Sequence, residues 1–176
     1  MTVLLKDGRT AELRQAIPSD AKDIIEYLNC IGGESEFLTF GKDGFPISIV
    51  EEEKYIEHFQ APNQSLWIVR VDGELAAMGD LTAQNAPRIS HTSELSISVR
   101  KKDWGSGIAQ ILMEQLIQFA RDSKQIQVIG LTVHAENERA IRLYRRYGFQ
   151  EVGCYPRFFH YDDGHFADAK WMNLYL

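Results

Sequence analysis

The sequence predicts an α+β (mixed α/β) fold: a central, mostly antiparallel sheet flanked by about four helices. Three observations carry that expectation. Short runs of alternating apolar and polar residues recur between turn dipeptides, the pattern of antiparallel strands. Two of these runs, Ser65–Val71 and Glu74–Leu81, flank Asp72-Gly73, a strong hairpin signal. A helical stretch then falls between a strand ending near Val99 and another over 125–134, which permits one parallel, right-handed crossover.

The bulk numbers are compatible with one domain, 1–176, large enough to bury a core. Hydrophobic content of 44% and charged content of 25% are ordinary for a globular chain. A net charge of -6 argues against a dedicated nucleic-acid binder. Cys30 and Cys154 lack CxxC spacing and read as reduced thiols, with neither a disulfide framework nor a zinc site. The N-terminal stretch has no apolar run of signal-peptide length, and no segment is apolar for long enough to cross a bilayer. The expected location is cytoplasmic, with no membrane or nucleic-acid partner.

The elements follow in order. Val3–Leu5 and Thr10–Ile17 pair across Asp7-Gly8. Ser19 is the expected cap of a helix from Asp20 to about Cys30, with Ala21, Ile24, Ile25 and Leu28 on its apolar side, and Gly32-Gly33 ends it. Residues 34–49 form a Gly-rich loop in which Phe37, Leu38, Phe40 and Phe45 either line a substrate pocket or pin the loop to the core. A helix over Ser48–Phe59 opens with Glu51, Glu52 and Glu53, which suit a helix N-terminus. After the central hairpin, a third strand runs from about Ile89 to Val99. A strand over Gln125–His134 and a short helix capped by Asn137 and closed at Gly148 come next. Phe149–Tyr161 and Phe166–Tyr175 make a last hairpin around Asp162-Asp163-Gly164. His160, Asp162, Asp163 and His165 read as turn residues there, and no metal site is expected.

The stretch from Glu94 to Ala120 carries the chemistry. Leu95, Ile97 and Val99 alternate with Ser96 and Ser98; Gly105-Ser106-Gly107 turns the chain; Ile108, Ile111, Leu112, Leu116 and Phe119 then share a helical face. A Gly-rich turn opening a helix exposes backbone N–H groups at the positive end of the helix dipole, which favours phosphate. The P-loop spacing is absent, and Gly105-x-Gly107 is followed by Gln110 where a dinucleotide fingerprint needs a third glycine. A nucleotide-dependent oxidoreductase is therefore disfavoured.

Two segments together resemble the GCN5-related N-acetyltransferase (GNAT) superfamily. The first is Val99-Arg100 followed by Trp104-Gly105-Ser106-Gly107-Ile108-Ala109, similar to the family's acetyl-CoA loop; Gly107 and Ala109 match, and Trp104 stands where the family has Gln or Arg. The second is Asn137, Ala140, Tyr144, Gly148 and Phe149, similar to the family's later motif of Asn, a Tyr-bearing helix and Gly-Phe. The resemblance implies a GNAT-like fold with one splayed parallel strand pair. It also implies direct acetyl transfer from acetyl-CoA to a primary amine in a ternary complex, without a metal. By the same resemblance Ile97 and Val99 would offer main-chain groups to the pantetheine arm, and Asn137 would bond its amides. Because Trp104 is not cationic, backbone amides helped by Arg100, Lys101 or Lys102 are expected to meet the pyrophosphate.

Acetyl transfer to an amine requires deprotonation of the ammonium, donors for the developing oxyanion and a proton for the departing thiolate. Glu94 is the candidate general base, on the strand face shared with Ser96 and Ser98. His91, Glu34 and Glu36 compete for that role. Tyr144 is the candidate general acid, two helical turns after Asn137. Phe37 and Tyr155 are candidate acceptor-side aromatics. The acceptor is open among a small amine or polyamine, an amino-acid-like molecule, and a protein N-terminus or lysine. A non-catalytic acyl-CoA-binding module is the alternative reading, and the resemblance allows a homodimer.

Overall fold

The computed structural model describes residues 1–42 and 44–176. The loop expectation at Asp43 lies outside the described residues. Turn chemistry sets the first half of the sheet. β1 (Thr2–Leu4) and β2 (Thr10–Gln15) meet across Gly8, whose φ of 87 needs glycine. β3 (Ser65–Val71) and β4 (Glu74–Ala83) meet across Asp72 and Gly73, both at positive φ, the conformation that matches strand twist. β5 (Thr92–Val99), β6 (Val128–His134), β7 (Gln150–His160) and β8 (Phe166–Tyr175) complete an eight-stranded sheet. Its order is β1-β2-β3-β4-β5-β6-β8-β7, antiparallel throughout except for β5 and β6.

Strand alternation divides the core between two faces. Leu66, Ile68 and Met78 point to the side covered by α1 (Ala21–Gly32) and α2 (Ile49–His58). Val69, Val71 and Ala77 point to the side covered by α3 (Ile108–Ser123), through Ile108 and Leu112. Met113, Leu116 and Ile117 of α3 extend that layer over β6 and β8, where Ile141 and Tyr144 of α4 (Glu138–Arg146) join it. No described helix is long and apolar enough to cross a membrane.

Several boundaries depart from the sequence expectation. Ser19 does not cap α1. Pro18–Asp20 forms a 3-10 turn, and Asp20 takes the cap position without a capping bond. The Asp20 carboxylate is drawn instead to Arg14 at 2.7 Å, Arg70 at 3.1 Å and the Ile17 N–H at 2.9 Å. Burial opposes its charge, but these partners prevail and bring its pKa down to about 2. β5 starts at Thr92 because Ala86–Thr92 closes two tight turns, Ile89 N–H to Ala86 O and Thr92 N–H to Ile89 O. β6 starts at Val128 because Ser123 Oγ holds the Gln125 and Ile126 N–H groups in a turn. α2 does open at Ser48, in a capping box with Glu51.

Gly32 and Gly33 do more than stop α1. A Cβ on Gly32 would lie 2.2 Å from Gly41 O, so the loop after α1 folds tightly back on the helix end. Leu38, Phe40 and Phe45 pack on the α1–α2 core, which pins the loop. Phe37 stays on its outer side. Leu38 and Phe40 pack on that core and also border the candidate active-site cleft, so the two alternatives for the loop are not exclusive.

Candidate active site

The site is made by a parting of the sheet. β5 and β6 pair only at Thr92–Glu94 against Val128–Gly130. Beyond that, β5 stays with β4 as far as Val99, while β6 stays with β8 as far as His134. The Arg100 N–H bonds Ala76 O on the β4 side, whereas His91 O accepts from Gln127 and Val128 on the β6 side. By alternation, the main-chain groups of Leu95, Ile97 and Val99 point into the gap. A cleft of about 920 Å³ occupies it.

At one end of the cleft lies the Gly turn. Gly105 and Gly107 have φ of 89 and 94, and Gly107 is the N-cap of α3. A Cβ on Gly107 would press on Lys6 Cγ at 3.2 Å. The Ile108 and Ala109 N–H groups have no acceptor among the described residues, as expected for the first turn of a helix. Ser106 is buried, its hydroxyl donating to Asp103 O at 2.6 Å, so it offers the cleft no side chain. Arg9 reaches Asp103 at 2.8 Å and ties the turn to the β1–β2 hairpin.

The cations at this end differ from those expected. The Arg100 guanidinium turns to Glu34 at 3.1 Å, and Lys102 pairs with Glu74. The Arg100 side chain is therefore held away from the Gly turn by its carboxylate partner. Lys6, Arg139, Arg142 and Arg146 line the cleft instead. Trp104 has a structural task that a phosphate ligand would not have. Its indole N–H donates to Val99 O at 2.8 Å, and the Arg139 guanidinium sits 4.9 Å above its ring. Trp104 thus occupies the Val99 carbonyl, leaving the Val99 N–H and both groups of Ile97 toward the gap.

α4 forms the wall opposite β5. Asn137 caps it, its side-chain oxygen accepting from the Ala140 N–H at 3.1 Å, and Asn137, Ala140 and Tyr144 all line the cleft. The Tyr144 phenol has no hydrogen-bond partner among the described residues, and burial pushes its pKa up to about 12. Tyr147 points elsewhere, to Glu114 at 2.8 Å.

The candidate base Glu94 projects from the α1–α2 face of β5. Glu94 is exposed and lines the cleft beside Ser96 and Ser98. Glu34 also lines it, but the Arg100 guanidinium and the Lys101 N–H at 2.7 Å hold both its oxygens. Burial opposes that charge, yet those bonds keep the Glu34 carboxyl below its ordinary range. His91 precedes β5, at the end where β5 and β6 still pair, and is not on the cleft wall. Phe37 lines the cleft and packs its ring 5.0 Å from His134. Tyr155 does not reach the cleft; it packs edge-on against Phe158 and Trp171 of the β7–β8 hairpin, and Phe158 and Phe159 line the cleft in its place. Glu36 lies on a separate pocket of about 340 Å³.

Sequence reasoning missed several groups near this site, among them Lys6, Arg139, Arg142, Arg146, His134 and Asp80. Lys6 and Arg139 arrive from distant elements and leave no local pattern. His134, buried between Phe37 and Phe159, ends β6 on the cleft wall. Asp80 did leave a signal. It is a charged residue inside the apolar strand ELAAMGDL, where aspartate is disfavoured.

The sheet thus parts beside the N-terminus of α3, with the tyrosine-bearing α4 across the gap. The fold is shared with solved acetyltransferases. The chain matches the crystal structure of the acetyltransferase of GNAT family from Streptococcus pneumoniae with a TM-score of 0.91 and 28% identity, over 94% of this chain and 99% of that one. A GNAT superfamily phosphinothricin acetyltransferase from Sinorhizobium meliloti, in complex with acetyl-CoA, matches with a TM-score of 0.80 and 18% identity, over 94% and 88% of the two chains. The acetyltransferase (GNAT) family model matches residues 35–149, and the chain belongs to that family. Among curated proteins, the L-amino acid N-acetyltransferase AaaT of Escherichia coli K12 is 29% identical over 102 residues, which is 58% of this chain and 62% of AaaT. The match therefore spans less than two thirds of that relative.

Proposed function

We propose that the chain, as one domain over 1–176, transfers an acetyl group from acetyl-CoA directly to a primary amine held in the same cleft. The observation that carries this reading is the unpaired edge of β5. It runs between the N-terminus of α3 with neighbouring cations at one end and, at the other, the Glu94 carboxylate, which has no partner among the described residues. The residues present fit acetyl-CoA: unpaired N–H groups of Ile108 and Ala109 with Lys6 and Arg139 suit the pyrophosphate. The main-chain groups of Ile97 and the Asn137 amide suit the pantetheine arm. When bound, acetyl-CoA supplies an activated acetyl thioester.

The protein groups then divide the work. Glu94 attracts the acceptor's ammonium and is the candidate for its deprotonation. The Ile97 N–H is a donor for the thioester carbonyl oxygen. Burial raises the Tyr144 phenol to about 12, which suits a proton donor to the departing sulfur. The similarity to an L-amino acid N-acetyltransferase supports an acceptor of small-molecule size carrying a primary amine.

The test is CoA-thiol release from acetyl-CoA across a panel of amino acids, polyamines and peptides. Release above hydrolysis is expected with at least one amine, and Glu94→Gln is expected to lower kcat/KM for that amine by about 10-fold or more. Binding of acetyl-CoA with no release above hydrolysis for any amine would instead support an acyl-CoA-binding module.

A further inference from the structure

Asp80 is a buried carboxylate with no cationic partner among the described residues, and it is hydrogen-bonded to a residue of the cleft wall. It follows Met78 on the α1–α2 face of β4, in a strand whose other buried residues are apolar. Thr82 Oγ1 donates to its Oδ1 at 3.1 Å, and Ser96 Oγ donates to its Oδ2. Across the β4–β5 ladder Asp80 faces Ser96, and Thr82 faces Glu94. Ser96 is exposed on the cleft wall, whereas Asp80 is only 8% exposed and lies behind it. Burying a carboxylate on two neutral hydroxyls is an unfavourable way to stabilise a sheet. An apolar residue would fill that position at less cost.

We propose that Asp80, acting through the Ser96 hydroxyl, is the final acceptor of the proton that the amine must lose, while Glu94 holds the ammonium by charge. This rests on the acetyl-transfer reading above and divides the task there given to Glu94 alone. The ammonium donates one N–H to Glu94 and another to Ser96 Oγ. The second N–H bond breaks and its electron pair stays on nitrogen as the attacking lone pair. Ser96 Oγ gains that proton as its own hydroxyl proton passes to Asp80 Oδ2. Asp80 ends neutral and returns the proton to solvent by the same path. Because it acts through Ser96, Asp80 is a positioning residue.

The surroundings of Asp80 suit that task. Burial pushes its carboxyl up, the Ser96 and Thr82 hydroxyls pull it down, the Glu94 charge pushes it up again, and its pKa settles at about 6. From α2, Tyr55 faces it, a phenol raised to about 12 by burial and by the charges of Asp80 and Glu52. β3 opposes Asp80 with Leu66, and α1 contributes the Tyr27 phenol one step along, on Ser98 at 2.9 Å. A proton acceptor is most effective when its pKa lies near the working pH.

The experiment compares wild type, Asp80→Asn, Ser96→Ala and Ser96→Thr, measuring CoA release with the best amine across the pH range, with acetyl-CoA binding by calorimetry. The wild-type kcat/KM is expected to fall on the acid side with a midpoint near that of Asp80. Asp80→Asn and Ser96→Ala are expected to lower kcat by ~10²-fold and abolish that limb, with acetyl-CoA affinity unchanged; Ser96→Thr restores both. Without any substrate, carbon-13 NMR of the aspartate carboxyls should show a resonance that titrates well above the ordinary range and is lost in Asp80→Asn. An unchanged acid limb in Ser96→Ala overturns the relay even where Asp80→Asn fails to fold. Wild-type protein that releases no CoA with any amine overturns the acetyl-transfer reading and the relay together, whereas normal turnover in all variants overturns the relay alone.

Discussion

Tyr144 and Trp104 illustrate how single residues divide the cleft's work. Tyr144 is a core residue by burial and a candidate acid by position, and both descriptions hold at once. Its ring packs 5.8 Å from Phe149, while its hydroxyl has no protein partner among the described residues and borders the cleft. Replacing it with phenylalanine keeps the ring packing and removes the hydroxyl. Tyr144→Phe is therefore expected to lower kcat by ~10²-fold with little change in acetyl-CoA affinity or melting temperature. Steady-state kinetics, calorimetry and thermal melts on the one variant check all three. A fall confined to acetyl-CoA affinity would make Tyr144 a wall residue only. Trp104 stood out in the sequence as a departure from the family's polar residue, and the contacts explain what replaced it. The indole closes the Val99 carbonyl and carries Arg139 toward the loop, so the cation comes from α4 instead of the loop itself.

The elements were legible where local chemistry sets them. Asp72-Gly73, the Gly105–Gly107 turn and the Asn137 cap each needed only their own neighbours, and each fell where the sequence indicated. Asp20 takes the cap position in place of Ser19 and is held by Arg14 on β2 and by Arg70 on β3, the latter 50 residues away, partners that only the folded sheet brings together. The parting of β5 from β6 was expected only from the family resemblance, since it is a matter of which strands continue to pair and not of any one strand's pattern. The loop after α1 was the least legible, because its path is fixed by contact with the helix end. That contact can be tested. Gly32→Ala places a methyl group against Gly41 O, where the loop backbone must shift. The loop carries Phe37 and Leu38 on the cleft wall, where the proposed amine would bind. The variant is expected to raise KM for the amine severalfold while leaving KM for acetyl-CoA near wild type. Equal changes in both constants would indicate a general loss of structure instead.

At the scale of the whole molecule, two buried aspartates on the α1–α2 face bend the stability curve in opposite directions. Asp20 has its pKa lowered to about 2 by its arginines against the cost of burial. Its contribution is present above the unfolded value near 3.8 and is lost as pH falls toward 2. Asp80 has its pKa raised to about 6, first by burial. Its contribution is full below about 3.8 and is lost as pH rises through 6, because the folded state then holds an ionised carboxylate without a cation. Comparing wild type with Asp80→Asn cancels Asp20 and isolates the second effect. Asparagine keeps the size of the protonated acid and stays neutral at every pH. The two proteins should be nearly equal in stability below about pH 4 and diverge between about pH 4 and 6. Above that, Asp80→Asn should be the more stable by roughly 1–3 kcal/mol, the free energy of a shift of this size. Urea unfolding across that pH range measures the difference. A flat difference would mean that Asp80 is not ionising in a buried site. A stability gain above pH 6 in the same variant that loses turnover would indicate that the fold carries this carboxylate for chemistry at a cost in stability.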